Sequence, residues 1–155
     1  MVSVMAEVSY PASQLDERVV PASDSEDPTM LSDSRAHTTL PTADIERLRT
    51  WYEGVLGFAP FAVRPGAVLY RTAVGSVFAI SRGSVLSSGT HTQMAFTVDD
   101  VEAAVADLRA RGVTFETYET PKTTDGIAQI GAGRAAWFKD PDGNLLAILQ
   151  FHDPT

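Results

Sequence analysis

The chain has 155 residues, enough for one domain with a hydrophobic core and too few for two ordinary ones. Its 44% hydrophobic and 21% charged residues are typical of globular proteins, and the net charge of -8 argues against the basic patch that nucleic acids and anionic membranes require. Cysteine is absent, which excludes disulfides and thiolate metal sites, and no apolar run approaches the roughly 20 residues of a membrane helix. With no signal peptide recognisable either, we expect a cytoplasmic protein.

Residues 1–34 differ in composition from the rest of the chain. They contain seven acidic residues and one basic residue, so they carry -6 of the net charge, and they are rich in serine and proline without a periodic apolar pattern. This composition predicts an acidic, flexible leader. An alternative is a docking arm whose valines add a strand to a sheet edge. We expect residues 35–153 to form the single folded domain.

The first half of this domain is predicted to contain one helix and four strands. Asp44 is placed to cap a helix that runs to Leu56, because the following apolar residues recur with helical spacing. Gly57 stands where a left-handed residue ends a helix, and further glycines mark turns between short strands. The predicted strands are 37–41, 58–64, 67–73 and 76–82.

The second half repeats this order. Asp99 and Glu102 form a possible capping box for a helix that ends at Gly112. Asp140-Pro-Asp-Gly143 is predicted to be a tight turn, since each residue type suits its turn position. The long, glycine-rich segment 120–133 is interpreted as a mobile flap. The predicted strands are 93–98, 113–118, 135–139 and 145–151.

The two halves align at an offset of about 56 residues, which indicates two βαβββ modules, residues 35–90 and 91–153. The predicted fold class is therefore α+β, with the modules forming a curved mixed sheet. One helix per module covers only one face of such a sheet, so the other face is expected to form a concave ligand cup. Uncovered sheet edges favour a homodimer.

Two segments resemble the vicinal-oxygen-chelate superfamily, which includes glyoxalases, bleomycin-resistance proteins and extradiol dioxygenases. The first runs from His37 through the helix to Leu56-Gly-Phe58, and the second, Ala135–Ala147, contains the Asp-Pro-Asp-Gly-Asn turn. The resemblance covers about residues 36–151 and implies this fold. It does not specify function, because members include isomerases, dioxygenases, thiol transferases, epimerases and drug-binding proteins.

The resemblance also implies four positions for metal ligands. His37 stands at the first, but Ala79, Gln93 and Ala147 stand at the others. One imidazole and one amide lack the charge and the number of donors that a divalent metal needs. We therefore predict a domain without the metal site and without a cofactor. His91, two residues before Gln93, is the alternative second imidazole.

Strand alternation and the resemblance together predict the lining of the cup. Trp137 occupies the position at which related thiol transferases place an aromatic substrate contact. Small and aliphatic residues surround it, which is typical of sites for organic ligands. The predicted ligand-binding residues are His37, Thr39, Val77, Ala79, Gln93, Ala135, Trp137, Ala147 and Leu149, with Phe151 on the same face.

Three functions are compatible with this pattern. The first is a metal-independent protein of the sequestration or resistance type that binds a small aromatic or natural-product-like molecule. The second is a cofactor-free isomerase, cyclase or lyase in which His37 acts as general base. The third is a metal-dependent enzyme of the glyoxalase or dioxygenase type with relocated ligands. The absent ligands disfavour the third, and the lack of a carboxylate near His37 disfavours the second.

Overall fold

Two successive βαβββ arrangements make up the part of the chain that the computed structural model describes, residues 31–151. The predicted leader therefore lies almost wholly outside the described residues, apart from a short 3-10 turn at Leu31–Asp33. The first module is one helix with a four-stranded sheet in the order β1-β4-β3-β2. Its elements are β1 (Thr38–Thr42), α1 (Ile45–Gly54), β2 (Pro60–Arg64), β3 (Ala67–Arg71) and β4 (Val77–Arg82).

The second module has the same order with one additional short strand. Its sheet runs β5-β9-β8-β7-β6, and in each module the first and last strands pair in parallel while the other pairs are antiparallel. The α+β prediction with two βαβββ modules is confirmed. The elements are β5 (Met94–Thr97), α2 (Val101–Ala110), β6 (Thr123–Thr124), β7 (Ile127–Ile130), β8 (Gly133–Lys139) and β9 (Leu145–Gln150).

Both helices begin at an aspartate whose carboxylate accepts a backbone N–H of the first turn. Asp44 caps α1 as predicted, 3.1 Å from the nitrogen of Arg47. The cap of α2 is Asp100, which accepts from the nitrogen of Ala103 at 3.0 Å, so the prediction of Asp99 was wrong by one residue. Glu102 then falls in the first turn, where it pairs with an arginine of β8 instead of closing a capping box.

Two other predicted segments differ from the structure. Residues 113–118 do not form a strand, and only Phe115 bridges to Phe138. The predicted flap at 120–133 instead contains the hairpin β6–β7, which extends the sheet beside β8. Asp125-Gly126, both with positive φ, form its two-residue turn. An Asp-Gly pair is a strong hairpin signal in sequence, and the sequence interpretation missed it.

The hydrophobic core lies between the helices and one face of each sheet, and the two modules share it. Leu40, Tyr52 and Ile80 of the first module belong to the same cluster as Phe138 and Ile148 of the second. The rings of Phe58 and Phe96 stack across the modules with centroids 5.8 Å apart. Among the described residues, no helix has the length and apolar character needed to cross a membrane.

The turn between β8 and β9 is tied to the first module through Asp140. One oxygen of its buried carboxylate accepts the backbone N–H groups of Asp142 and Asn144 at 2.9 and 3.0 Å. The other accepts from the hydroxyl of Tyr52 on α1 at 3.1 Å and from the side-chain amide of Asn144 at 2.7 Å. Burial raises the pKa of Asp140, although these four donors oppose the shift.

Two further side chains of the same turn bind the first module. The carboxylate of Asp142 accepts hydrogen bonds from the hydroxyl of Thr42 and from the guanidinium of Arg47. The amide of Asn144 donates to the carbonyl of Pro41 at 3.0 Å. The turn therefore fastens the end of β1 and the start of α1 to the second module.

Two stacked tyrosines in the core are expected to respond differently to loss of their hydroxyl. The rings of Tyr52 and Tyr70 lie 5.8 Å apart, but the buried hydroxyl of Tyr70 has no hydrogen-bond partner within 3.5 Å among the described residues, and Glu53 is the carboxylate with the largest influence on it. Burial, followed by the charge of Glu53, raises the pKa of Tyr70 to about 12. We expect Tyr70→Phe to leave the free energy of unfolding within about 0.5 kcal/mol or to raise it, whereas Tyr52→Phe should lower it by about 1–3 kcal/mol. Urea denaturation compares them, and a larger loss in Tyr70→Phe would contradict this account.

Candidate ligand-binding site

Each sheet has a second face, turned away from its helix, which we call the site face. In the first sheet, Thr39, Ala79 and Leu69 stand side by side on it in the register of β1, β4 and β3. Val77 follows by strand alternation, two residues before Ala79. His37 precedes β1 at the level of Val77; it is exposed and makes no hydrogen bond or ion pair with the described residues.

The site face of the second sheet carries most of the remaining predicted residues. Ala147 on β9 stands between Trp137 on β8 and Ala95 on β5. In the next row Leu149 pairs with Ala135. Phe151, predicted on this face, follows the end of β9 and is 62% exposed.

A second layer of buried apolar residues lies outside the main core. All of its residues lie on the site faces, as the strand register and alternation show. The centres of these faces are therefore apolar and largely buried. The residues of this layer are Leu69, Ala79, Ala128, Ala135, Leu145 and Ala147.

Trp137 is held in a fixed orientation by two residues that the sequence analysis did not identify. Its indole N–H donates to the hydroxyl of Thr92 at 3.0 Å, and the ring of Tyr118 packs edge-on against it at 5.6 Å and 78°. Burial, and then the charge of Glu116, raises the pKa of Tyr118. The sequence analysis assigned residues 113–118 to a strand, which does not form. Strand alternation therefore did not indicate that the Tyr118 side chain contacts Trp137.

Gln93 is engaged within the protein. Its amide oxygen accepts from the hydroxyl of Ser87 and from the backbone nitrogen of Leu145, the latter at 3.1 Å. Its amide nitrogen donates to the side chain of Asn144 at 3.1 Å. Gln93 thus links the start of β5 to the turn between β8 and β9, and its oxygen already has two donors.

Three of the four metal-ligand positions implied by the resemblance lack a free donor among the described residues. Of the four positions implied by the resemblance, Ala79 and Ala147 carry no donor and the amide of Gln93 is hydrogen-bonded elsewhere. His91 is exposed in the loop before β5, so strand alternation does not bring it to the site face. Within residues 31–151, no group of three or more histidine, aspartate or glutamate side chains is placed to hold a metal ion.

A groove of about 540 Å³ lies between α2 and the β6–β7 hairpin, away from the residues that were predicted to bind ligand. Three of its charged side chains already have partners: Glu102 pairs with Arg134 at 2.8 Å, and Arg109 donates to the carbonyl of Asp125 at 2.9 Å. These contacts fasten the hairpin and β8 to α2. The groove is open and lacks an aromatic platform, so the site faces remain the better candidate.

Comparison with solved structures shows the same fold in other proteins. TnmS3, an antibiotic binding protein from Streptomyces sp. CB03234, is 26% identical, with 75% of this chain and 93% of that chain covered and a TM-score of 0.57. A glyoxalase/bleomycin resistance protein from the same Streptomyces is 27% identical, with coverages of 74% and 98% and a TM-score of 0.54. The fosfomycin resistance protein FosX from Listeria monocytogenes is 18% identical, with coverages of 77% and 94% and a TM-score of 0.60.

A search of curated proteins found no match. The sequence model of the Glyoxalase/Bleomycin resistance protein/Dioxygenase superfamily matches residues 34–148, most of the chain and nearly all of the described fold. The chain therefore belongs to the Glyoxalase/Bleomycin resistance protein/Dioxygenase superfamily.

Proposed function

We propose that the protein binds a small, planar, largely apolar organic molecule on its site faces, without a metal ion, and acts by sequestration. The observation that carries this proposal is the fixed orientation of Trp137 on an otherwise aliphatic surface. An indole whose N–H is already bonded to Thr92 and whose edge meets Tyr118 presents a flat face for stacking at little entropic cost.

The residues at the implied metal positions support the same function. Alanine at 79 and 147 removes ligand donors, and Ala147 is the direct neighbour of Trp137 on β9. The likeness to TnmS3, an antibiotic binding protein, supports an organic molecule as the occupant.

A cofactor-free enzyme with His37 as general base has less support. A catalytic histidine is usually oriented by a carboxylate or carbonyl on its second nitrogen, and His37 makes no such contact with the described residues. Binding without turnover is therefore the function we propose.

The test is a titration with planar phenolic and quinonoid compounds, followed by tryptophan fluorescence and calorimetry. Trp137→Ala should weaken binding roughly tenfold or more, because it removes both stacking and buried apolar area. Trp51→Phe is the matched control: the chain has two tryptophans, and Trp51 lies on α1, so quenching should persist. Addition of a chelator should leave affinity unchanged.

Three results would count against the proposal. Ligands that bind equally well to Trp137→Ala would place the site elsewhere. Loss of binding on chelation would indicate a metal. A product detected by mass spectrometry that His37→Ala no longer forms would favour the enzyme.

A further inference from the structure

The strands carry a charge opposite to that of the whole chain. The protein has a net charge of -8, yet the nine strands within residues 31–151 contain no aspartate or glutamate. Their charged residues are five cations: Arg64, Arg71, Arg82, Arg134 and Lys139. The carboxylates of the described residues therefore lie on helices, turns and loops.

Four of the five cations either pair with a carboxylate or are exposed. Arg82 is exposed on the helix-side face of β4, and Arg134 on β8 is bound to Glu102. Lys139 lies 3.8 Å from Glu116. Arg64 is exposed at the far end of β2, opposite Ala67.

Arg71 differs from the other strand cations in its burial and its aromatic partner, because Arg64 and Lys139 also lie on the site faces by register. It pairs with Val77 in the register of β3 and β4, which puts it on the site face. It is half-buried, its guanidinium lies 4.3 Å from the ring centroid of Phe61, and it makes no ion pair with the described residues. Stacking on a ring fixes the plane of a guanidinium and leaves its N–H edge available to an acceptor.

The neighbours of Arg71 favour an anion as that acceptor. Val77 separates Arg71 from His37 at the level where both reach the site face. An apolar residue between two basic ones gives a partly desolvated place with no competing carboxylate on β1, β3 or β4. Charge-assisted hydrogen bonds to an oxyanion are strengthened in such surroundings.

We propose that the ligand is an organic anion and that Arg71, held over Phe61, binds its carboxylate or another oxyanion. This inference rests on the proposed binding function and adds the charge class of the ligand. Arg71 would select for the acidic group of the ligand. A site of this kind rejects a neutral analogue because the guanidinium then loses its partner.

The experiment compares anthraquinone-2-carboxylate with anthraquinone-2-carboxamide, which have the same rings and differ in charge. By calorimetry at low salt, the wild-type protein should bind the carboxylate roughly tenfold or more tightly than the amide. Arg71→Gln should reduce this preference to about twofold with little change for the amide, and Arg71→Lys should retain part of it. Arg82→Gln is the control, since it removes the same charge from the opposite face of the first sheet.

The outcomes separate this inference from the proposed function. Equal affinity for both probes that still depends on Trp137 would contradict the proposal of an anionic ligand and leave the proposed binding function unaffected. A preference that persists in Arg71→Gln, or that falls equally in Arg82→Gln, would overturn the role of Arg71. Failure of both probes to bind would contradict both proposals. Circular dichroism melting establishes that each variant is folded.

Discussion

Asp140→Ala is expected to lower the free energy of unfolding by about 3–5 kcal/mol, because it removes the acceptor of four hydrogen bonds in a buried site. Two of the donors are backbone N–H groups of the turn itself, and the other two are the side chains of Asn144 and Tyr52. None of them gains an alternative partner when the carboxylate is replaced by a methyl group. The loss should therefore exceed that of Tyr52→Phe, which breaks only one of the four bonds.

Urea denaturation provides the measurement, and Asp99→Ala provides the matched control. Asp99 is exposed and makes no hydrogen bond with the described residues, so its replacement should change stability by no more than about 0.5 kcal/mol. If Asp140→Ala lowered the free energy of unfolding as little as Asp99→Ala, the hydrogen bonds of the turn would not stabilise the junction of the two modules.

Phe138→Ala should also lower the free energy of unfolding by about 3–5 kcal/mol. The side chain is only 1% exposed and contacts two aromatic rings, Phe115 at 5.5 Å and Trp51 on α1 at 6.3 Å. Its removal leaves a cavity where the modules share their core, and the surrounding β-sheet can collapse into it only in part. Stability should fall without a change of fold.

Phe151→Ala is the comparison that isolates burial, because Phe151 is the same residue type at 62% exposure. It should lower the free energy of unfolding by less than about 1 kcal/mol. Similar losses in the two variants would mean that the end of β9 is covered in solution, for example by a second subunit.

The sequence predicted the elements whose signals are local. The Asp44 cap and the helical spacing of Ile45, Leu48 and Tyr52 are decided within a few residues of each other, and α1 forms as expected. The glycines after each helix and the turn beginning at Asp140 are likewise read from adjacent residues. Strand alternation also placed Ala79, Trp137 and Ala147 on one kind of face, because the side-chain period of a strand is fixed by backbone geometry.

The errors arose where several short signals competed. Asp99 and Asp100 are both acceptable caps, and only the backbone conformation at Asp100 decides between them. Residues 113–118 have apolar residues at alternate positions, yet only Phe115 bridges to β8, because β7 already pairs with the Gly133–Ala136 part of that edge. Segment 120–133 looked like a flap because its glycines were given more weight than the Asp-Gly turn.

By itself, the sequence determined the α+β modules, their two helix caps in outline, the turn at Asp140 and the absence of donors at Ala79 and Ala147. Only the tertiary structure decided which polar atoms already have hydrogen-bond or ion-pair partners. The amide of Gln93 is hydrogen-bonded to Asn144 and Leu145, whereas Arg71 lies over Phe61 without an ion pair to the described residues. These partners lie on different strands and loops, and their distances depend on how the sheets are registered and joined. No periodicity within one segment carries that information.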